Sequence, residues 1–311
     1  MATEPTIAIL NAVPPDRPSA EVQRYAAVSD YWALTKPEVN FLILITTFAG
    51  FYLAPSIGAS GFRTLLVIHT LLGTLLVAGG TGTLNQFLER SFDARMRRTS
   101  RRPLASGRLK ASHVLWFGIA LSTAGAAYLA IAVNILTSLL AIATLLSYLF
   151  LYTPLKRKTP LCTLVGAFPG AVPPLIGWAA ARGHLDPEAW VLYGIVFLWQ
   201  FPHFMSIAWM YREDYSRAGY LVLPVGEWRE HFVLWQSFCV SLALLPVTLI
   251  PAISDRTGPV YVGGALLLGL LFSYYSARFA FHRSNSSARQ LLAVSIIYLP
   301  LVFILLMLDK K

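Results

Sequence analysis

Charge is what this sequence has least of. Only 13% of its 311 residues are Asp, Glu, Lys or Arg, and 56% are hydrophobic, whereas soluble domains are roughly a quarter charged. A water-soluble globule of this length needs more polar surface than that, so the composition points to a chain dissolved in lipid. Cysteine is scarce as well. Cys162 and Cys239 are the only two; both fall in apolar runs, imply no disulfide framework or thiolate metal knot, and read as small buried hydrophobes. No solenoid repeat is visible. The opening 32 residues lack a basic start followed by an apolar core and carry Glu4, Asp16, Glu21 and Asp30. They resemble neither a secretory signal nor a mitochondrial transit peptide. Residues 1–33 read as a short disordered tail, and 34–311 as a single transmembrane domain.

What the sequence does have is apolar runs of membrane length. Nine candidate helices of roughly 20 residues, the length a hydrocarbon core of about 30 Å demands, run near 38–58, 64–84, 113–133, 135–153, 160–181, 188–209, 231–253, 259–281 and 288–308. The predicted fold is all-α and polytopic. The third and fourth runs are broken only around Asn134, and Pro173-Pro174 should kink the fifth. Proline elsewhere in the spans is tolerable because neighbouring helices can satisfy the freed carbonyls.

Positive charge supplies the orientation. With the N-terminus inside, 20 of the 25 Lys and Arg residues fall on inner segments and 5 on outer ones. That bias places the tail and the even-numbered connections in the cytoplasm and the C-terminus outside. The net charge of +10 is then a property of membrane loops, not a sign of a nucleic-acid partner.

Three inner segments concentrate polar residues. In 84-LNQFLERSFDARMRRTSRRPL-104, Asn85, Glu89 and Asp93 recur at i, i+4, i+8, which aligns them on one helix face. Stacked oxygen ligands suit Mg²⁺, which takes one or two carboxylates and completes its shell with water and substrate phosphate. Arg90, Arg95, Arg97, Arg98, Arg101 and Arg102 surround them, and arginine binds phosphate bidentately. Acids for a metal beside guanidiniums is the chemistry a diphosphate calls for. The same residues can equally form a solvated cap of acid–arginine pairs. In 151-LYTPLKRKTP-160, Lys156, Arg157 and Lys158 form either a positive-inside loop or a second clamp on the same anion. In 199-WQFPHFMSIAWMYREDYSRAGYLVLP-224, an apolar run containing His203 ends in Arg212, Glu213, Asp214 and Arg217. His203 is either a hydrogen-bonded core histidine or a contact to a substrate or its iron.

These blocks resemble the UbiA-type intramembrane prenyltransferases, and in form the branch of that family that prenylates heme. The resemblance rests on the first segment, on 34-LTKPEVNFLILITTFAG-50, YTPLKRKTP, 166-GAFPGAVPPLIGW-178, FPHFMSIAW and YREDYSRAGYLVLPV, in the right order. It implies a helical bundle around a central cavity, a Mg²⁺-dependent transfer of a farnesyl group from farnesyl diphosphate to a vinyl group of heme b, and a site near the cytoplasmic face of a bacterial inner membrane. Carried onto this chain, Asn85, Glu89, Asp93 and Asp214 would serve the metal and catalysis. Arg90, Arg97, Lys156, Arg157, Glu213, Arg217 and His203 would bind substrates. The resemblance also implies hand-over of product to a heme A synthase or an oxidase assembly. One departure stands out: four residues beyond Asp214 is Ala218 and four before it is Met210, so the family's usual second pair of aspartates is absent.

Two other readings compete. A prenyltransferase of the same fold could act on another aromatic or tetrapyrrole acceptor, against which the FPHF and REDY blocks argue. An anion transporter should place ionisable groups at mid-membrane and on both faces, whereas here they crowd the inner face.

Overall fold

The computed structural model describes residues 28–55, 60–223 and 227–311. Apart from one isolated bridge between Thr257 and Lys310, the described residues form helices and short connections. The helices are α1 (Pro37–Leu53), α2 (Ser60–Asp93), α3 (Ala111–Ala132), α4 (Ile135–Leu146), α5 (Cys162–Gly170), α6 (Pro173–Arg182), α7 (Pro187–Met210), the short α8 (Arg212–Ala218), α9 (Glu227–Ile253), α10 (Pro259–His282) and α11 (Asn285–Leu308). Eight stretches, with α5 and α6 counted as one, are long and apolar enough to cross a membrane; α1 is a shorter apolar helix of 17 residues. Each of the nine expected spans is therefore helical over most of its described residues, and the protein is a multi-pass membrane protein.

Local chemistry accounts for the breaks. Asn134 separates α3 from α4: its side chain accepts from Thr137 N at 2.9 Å as the N-cap of α4, and its amide donates to Ala179 O at 2.9 Å. The fifth span divides at Pro173-Pro174, as expected, into α5 and α6. Buried Gln200 on α7 donates to Ala167 O at 3.2 Å and Val196 O at 3.1 Å, tying α7 to α5 beside that break. α1 and α6 then pack almost backbone to backbone. A Cβ at Gly50 would sit 2.1 Å from Pro174 O, and one at Gly177 would sit 1.9 Å from Thr47 O. Close approach through small residues is how helices associate where lipid removes the hydrophobic drive. The largest apolar core lies among α6, α7 and α9 to α11, with Tyr261, Phe272, Tyr298 and Phe303 inside it.

One helix outruns its apolar segment, and two sequence expectations are corrected. The hydropathic run ends near residue 84, but α2 continues to Asp93 and has 34 residues, about 51 Å at 1.5 Å per residue, so its last turns extend past the apolar segment. The tail called disordered up to 33 is helical over 28–34: Asp30 pairs with Arg108 at 2.9 Å, Tyr31 packs edge-on against Phe117, and Leu34 is fully buried. The rest of that tail lies outside the described residues. Finally, Cys162 is buried but Cys239 is exposed.

Candidate active site

The acid-bearing end of α2 meets the residue before α1, the turn after α4 and Tyr220 just beyond α8. Asn85, Glu89 and Asp93 lie on one face there, as their spacing predicts, and are 1%, 6% and 2% exposed. Each is held by a cation from a different chain segment. Lys36 Nζ donates to Asn85 Oδ1 at 2.8 Å, Lys156 Nζ to Glu89 Oε1 at 2.8 Å, and Arg102 Nη1 to Asp93 Oδ2 at 2.7 Å. Three segments far apart in sequence thus converge on two turns of one helix. Asn85 also donates to Thr153 Oγ1 at 3.2 Å.

Lys36 is placed by its backbone. With φ of 54° it occupies the left-handed region immediately before Pro37. A non-glycine residue pays about 1–2 kcal/mol for that conformation, and such strain gathers at functional positions. Burial, reinforced by the neighbouring Arg102 guanidinium, lowers its pKa to about 7.

A π-helical stretch, Ser147–Tyr152, ends α4 and is followed by the turn Thr153–Leu155. The wider turn sets Tyr148 and Tyr152 5.0 Å apart, centroid to centroid, and Lys156 Nζ lies 4.6 Å from the Tyr152 ring. Beside them is a cavity of about 140 Å³ whose lining includes Glu89, Phe92, Thr153, Arg157 and Tyr220. Tyr220 stacks on Phe92 at 5.5 Å. Burial and then the Glu89 carboxylate push its phenol pKa up, so it keeps its proton.

The other predicted residues divide. Asp214 is buried but does not join the acidic row. Its Oδ2 accepts from the backbone N–H of Arg98 at 3.1 Å, and its Oδ1 pairs with Arg217. Burial opposes its charge, yet the amides of Arg98 and Arg97 and the Arg217 guanidinium outweigh burial and hold its pKa below the usual carboxylate range. Asp214 therefore anchors the arginine-rich loop after α2 to α8. The loop is further fixed by Thr99 Oγ1, which donates to Asp93 O at 2.9 Å, and by Met96, buried with Ala218 and Tyr220. Arg157 lies over Phe92 at the cavity edge. Arg90 is exposed, folded over Phe87, and donates to Phe87 O at 2.7 Å. Arg97 and Glu213 are exposed, and the structure does not bring Glu213 to the row.

His203 lies farther along α7, seven residues before its end, or roughly 10 Å. Its ring stacks on Trp199 at 4.6 Å, and Nδ1 lies 2.8 Å from Ser295 Oγ.

Sequence reasoning missed Lys36, Thr153 and Tyr220 as site residues, and did not single out Arg102 from the arginines around the row. A lysine followed by proline at the foot of an apolar helix was the one local signal; the others are assembled by tertiary packing.

Among the described residues, no group of three or more His, Cys, Asp and Glu side chains forms a metal cluster. A Mg²⁺ ion needs fewer protein ligands than that when phosphate oxygens and waters complete its shell. Two buried carboxylates one helical turn apart and an amide oxygen fit it. Asp93 Oδ1 is buried without a hydrogen-bond partner, and a buried polar atom left so is costly unless a ligand engages it. The donor set suits a divalent cation with a phosphorylated ligand.

A model of the UbiA prenyltransferase family matches residues 43–304. The protoheme IX farnesyltransferase of Solibacter usitatus is 50% identical over 289 residues, covering 90% of this chain and 98% of the relative. That of Koribacter versatilis is 43% identical over 288 residues, covering 90% and 93%. Among solved structures, a digeranylgeranylglyceryl phosphate synthase superposes with a TM-score of 0.74 at 17% identity, covering 91% of this chain and 98% of that one. A UbiA homolog from Archaeoglobus fulgidus bound to GPP and Mg²⁺ superposes with a TM-score of 0.61 at 17% identity, covering 89% and 99%. The two solved structures share the fold of this chain.

Proposed function

From membership of the UbiA prenyltransferase family, to which this chain belongs, we infer that the protein transfers the farnesyl group of farnesyl diphosphate to a vinyl side chain of protoheme IX, the activity for which its relatives at 50% and 43% identity are named. It is an enzyme, a prenyltransferase. The observation that carries the site assignment is the row Asn85–Glu89–Asp93, buried and bonded one by one to Lys36, Lys156 and Arg102. In the resting site each cation neutralises or satisfies an oxygen. When diphosphate enters, the cations turn to its oxygens and the acids become available to a metal.

Glu89, Asp93 and the Asn85 amide oxygen would hold Mg²⁺, which supplies positive charge to the departing diphosphate. Lys36, Lys156 and Arg102 bind the diphosphate oxygens, with Arg157 at the cavity edge. The C1–O bond of the farnesyl group breaks, its electron pair leaves on the diphosphate, and these fixed cations stabilise the charge that develops. Tyr148 and Tyr152 face the allylic cation with their rings, an interaction of about 2 kcal/mol when desolvated. The terminal vinyl carbon of heme donates its π pair to C1 and forms the new C–C bond. Water adds to the carbon left cationic beside the porphyrin and loses a proton, giving the hydroxyethyl-farnesyl side chain of heme O. Keeping water out until the acceptor is seated protects the cation. His203 on α7 contacts the heme. Asp214 holds the arginine loop over the diphosphate.

The excess of basic residues at this end of the bundle supports a cytoplasmic site in a bacterial inner membrane, with the N-terminus inside and the C-terminus outside. Product then passes to a heme A synthase or an oxidase assembly. The test incubates purified protein with heme, farnesyl diphosphate and Mg²⁺, then repeats the reaction with EDTA and with a benzoate acceptor. Heme O formed only with Mg²⁺ is the expected result. Prenylated benzoate with no heme O would replace heme as the acceptor, and no transfer to either would overturn the reading.

A further inference from the structure

A second cavity, of about 340 Å³, lies at the end of the bundle opposite the acidic row. It is bounded by the C-terminal ends of α1, α6, α9 and α11 and by the start of α7. Leu53, Leu192, Ile250 and Leu306 give it an apolar wall; Arg256, Lys310 and Lys311 give it a basic rim.

The charge there is unusual for this face. Five basic residues fall on the outer segments, and four of them, Arg63, Arg256, Lys310 and Lys311, gather around this one place. The fifth, Arg182, pairs with Asp186 at 3.3 Å. Scattered loop charges would not converge in this way. Arg256 is bonded to Glu188 at 2.6 Å and Lys311 pairs with Asp255. Lys310 has no carboxylate partner among the described residues; its ammonium donates to Tyr52 O at 3.1 Å and lies 3.5 Å from Ala54 O. The neighbouring Asp309 carboxylate accepts instead from the Tyr261 N–H at 2.7 Å. Burial, with the guanidiniums of Arg63 and Arg256 nearby, holds the Lys310 pKa below the usual lysine range. A cation so placed gains from any anion brought to it.

A second observation is independent of charge. Thr257 lines the cavity, is 5% exposed, and its hydroxyl has no hydrogen-bond partner. A buried hydroxyl beside basic side chains and an aliphatic wall is a donor set for a phosphate carrying hydrocarbon.

We propose that this cavity binds the phosphate headgroup of an anionic phospholipid, with Arg256, Lys310, Lys311 and the Thr257 hydroxyl on the phosphate and an acyl chain along Leu53, Leu192, Ile250 and Leu306. The lipid would tie the ends of α1, α9 and α11 together at the face away from the prenyl-transfer site. A free phosphate would use the same cations but leave the apolar wall without a role.

The thermal unfolding midpoint of the purified full-length protein, delipidated in detergent, is measured with phosphatidylglycerol, phosphatidylcholine or inorganic phosphate added. Phosphatidylglycerol should raise the midpoint; phosphatidylcholine and phosphate should not. Lys310→Gln should lose most of that rise, while Arg182→Gln, a cation on the same face outside the cavity, should keep it. A rise that survives Lys310→Gln, that Arg182→Gln abolishes equally, or that phosphatidylcholine or phosphate reproduces overturns the proposal. Should Lys310→Gln fail to fold, native mass spectrometry of the unaltered protein decides: preferential retention of phosphatidylglycerol over phosphatidylcholine supports the site, and equal retention overturns it.

Discussion

Lys156 and Glu89, 67 residues apart in sequence, meet at 2.8 Å in a part of the bundle where both side chains are nearly buried, 12% and 8% exposed. Removing one partner strands the other, which in buried pairs costs about 3–5 kcal/mol. Lys156→Met should therefore lower the thermal midpoint in detergent more than Lys156→Met combined with Glu89→Gln, which strands no charge. Both variants should fail to turn over, because each lacks a diphosphate contact. A double variant no more stable than the single one would show that the pair does not govern the fold locally.

Asp93 is the carboxylate whose two oxygens differ most: Oδ2 holds Arg102 while Oδ1 has no partner. Asp93→Asn keeps the shape and should leave the protein folded in the membrane with its Mg²⁺-dependent turnover reduced by orders of magnitude, as expected for lost charge stabilisation. Asp93→Ala should abolish turnover. Pigment extraction and mass analysis follow the product; near-normal heme O from Asp93→Ala would remove the residue from the site.

Lys36 gives a pH-dependent signature. Its pKa in the free site is about 7, because burial disfavours the ammonium. At pH 8 it is mostly neutral, and a bound diphosphate, being opposite in charge, raises its pKa. Binding farnesyl diphosphate at pH 8 should then take up as much as about one proton, and the uptake should fade below pH 7, where Lys36 is already charged. Calorimetry in two buffers of different ionisation enthalpy measures this directly. Lys36→Met should remove the buffer dependence; a binding heat indifferent to buffer in the unaltered protein would contradict the assignment.

The sequence disclosed the parts of this molecule that depend on neighbouring residues. Apolar run lengths located the helices, Asn134 and Pro173-Pro174 marked the breaks, and the i, i+4, i+8 spacing put Asn85, Glu89 and Asp93 on one face. Hydropathy alone did not disclose where α2 ends, because it stops at the membrane while the helix continues through the acidic row, where Lys36, Lys156 and Arg102 pack on it. Nor did the sequence separate the arginines: Arg102 and Arg90 read alike in sequence, and only packing turns one onto Asp93 and folds the other over Phe87. Nor could sequence tell which of two jobs Asp214 has, since a carboxylate that caps loop amides looks identical in sequence to one that binds a metal.

Asp214 has its own test. Asp214→Ala should release the Arg98 and Arg97 amides and expose the loop 94–110, so trypsin should cut there faster than in the unaltered protein while turnover falls. Asp214→Asn, which can still accept one amide hydrogen bond, should recover part of both. Full loss of turnover with an unchanged cleavage rate would argue that the residue touches substrate or metal directly.

His203 is poised by its neighbours. Ser295 has a single hydroxyl proton, which it donates to Leu292 O at 2.7 Å, so toward His203 it accepts. The imidazole then carries its proton on Nδ1, leaving the Nε2 lone pair for another partner. Trp199 braces the arrangement: its ring stacks on the imidazole and its Nε1 donates to Ser295 O at 2.8 Å. If Nε2 meets heme iron, His203→Ala should shift the Soret band of heme-loaded protein and slow transfer. Ser295→Ala, which frees the tautomer without removing the ring, should give a smaller change in the same direction. A spectrum and rate unaltered by His203→Ala would leave the histidine as a packing residue between α7 and α11.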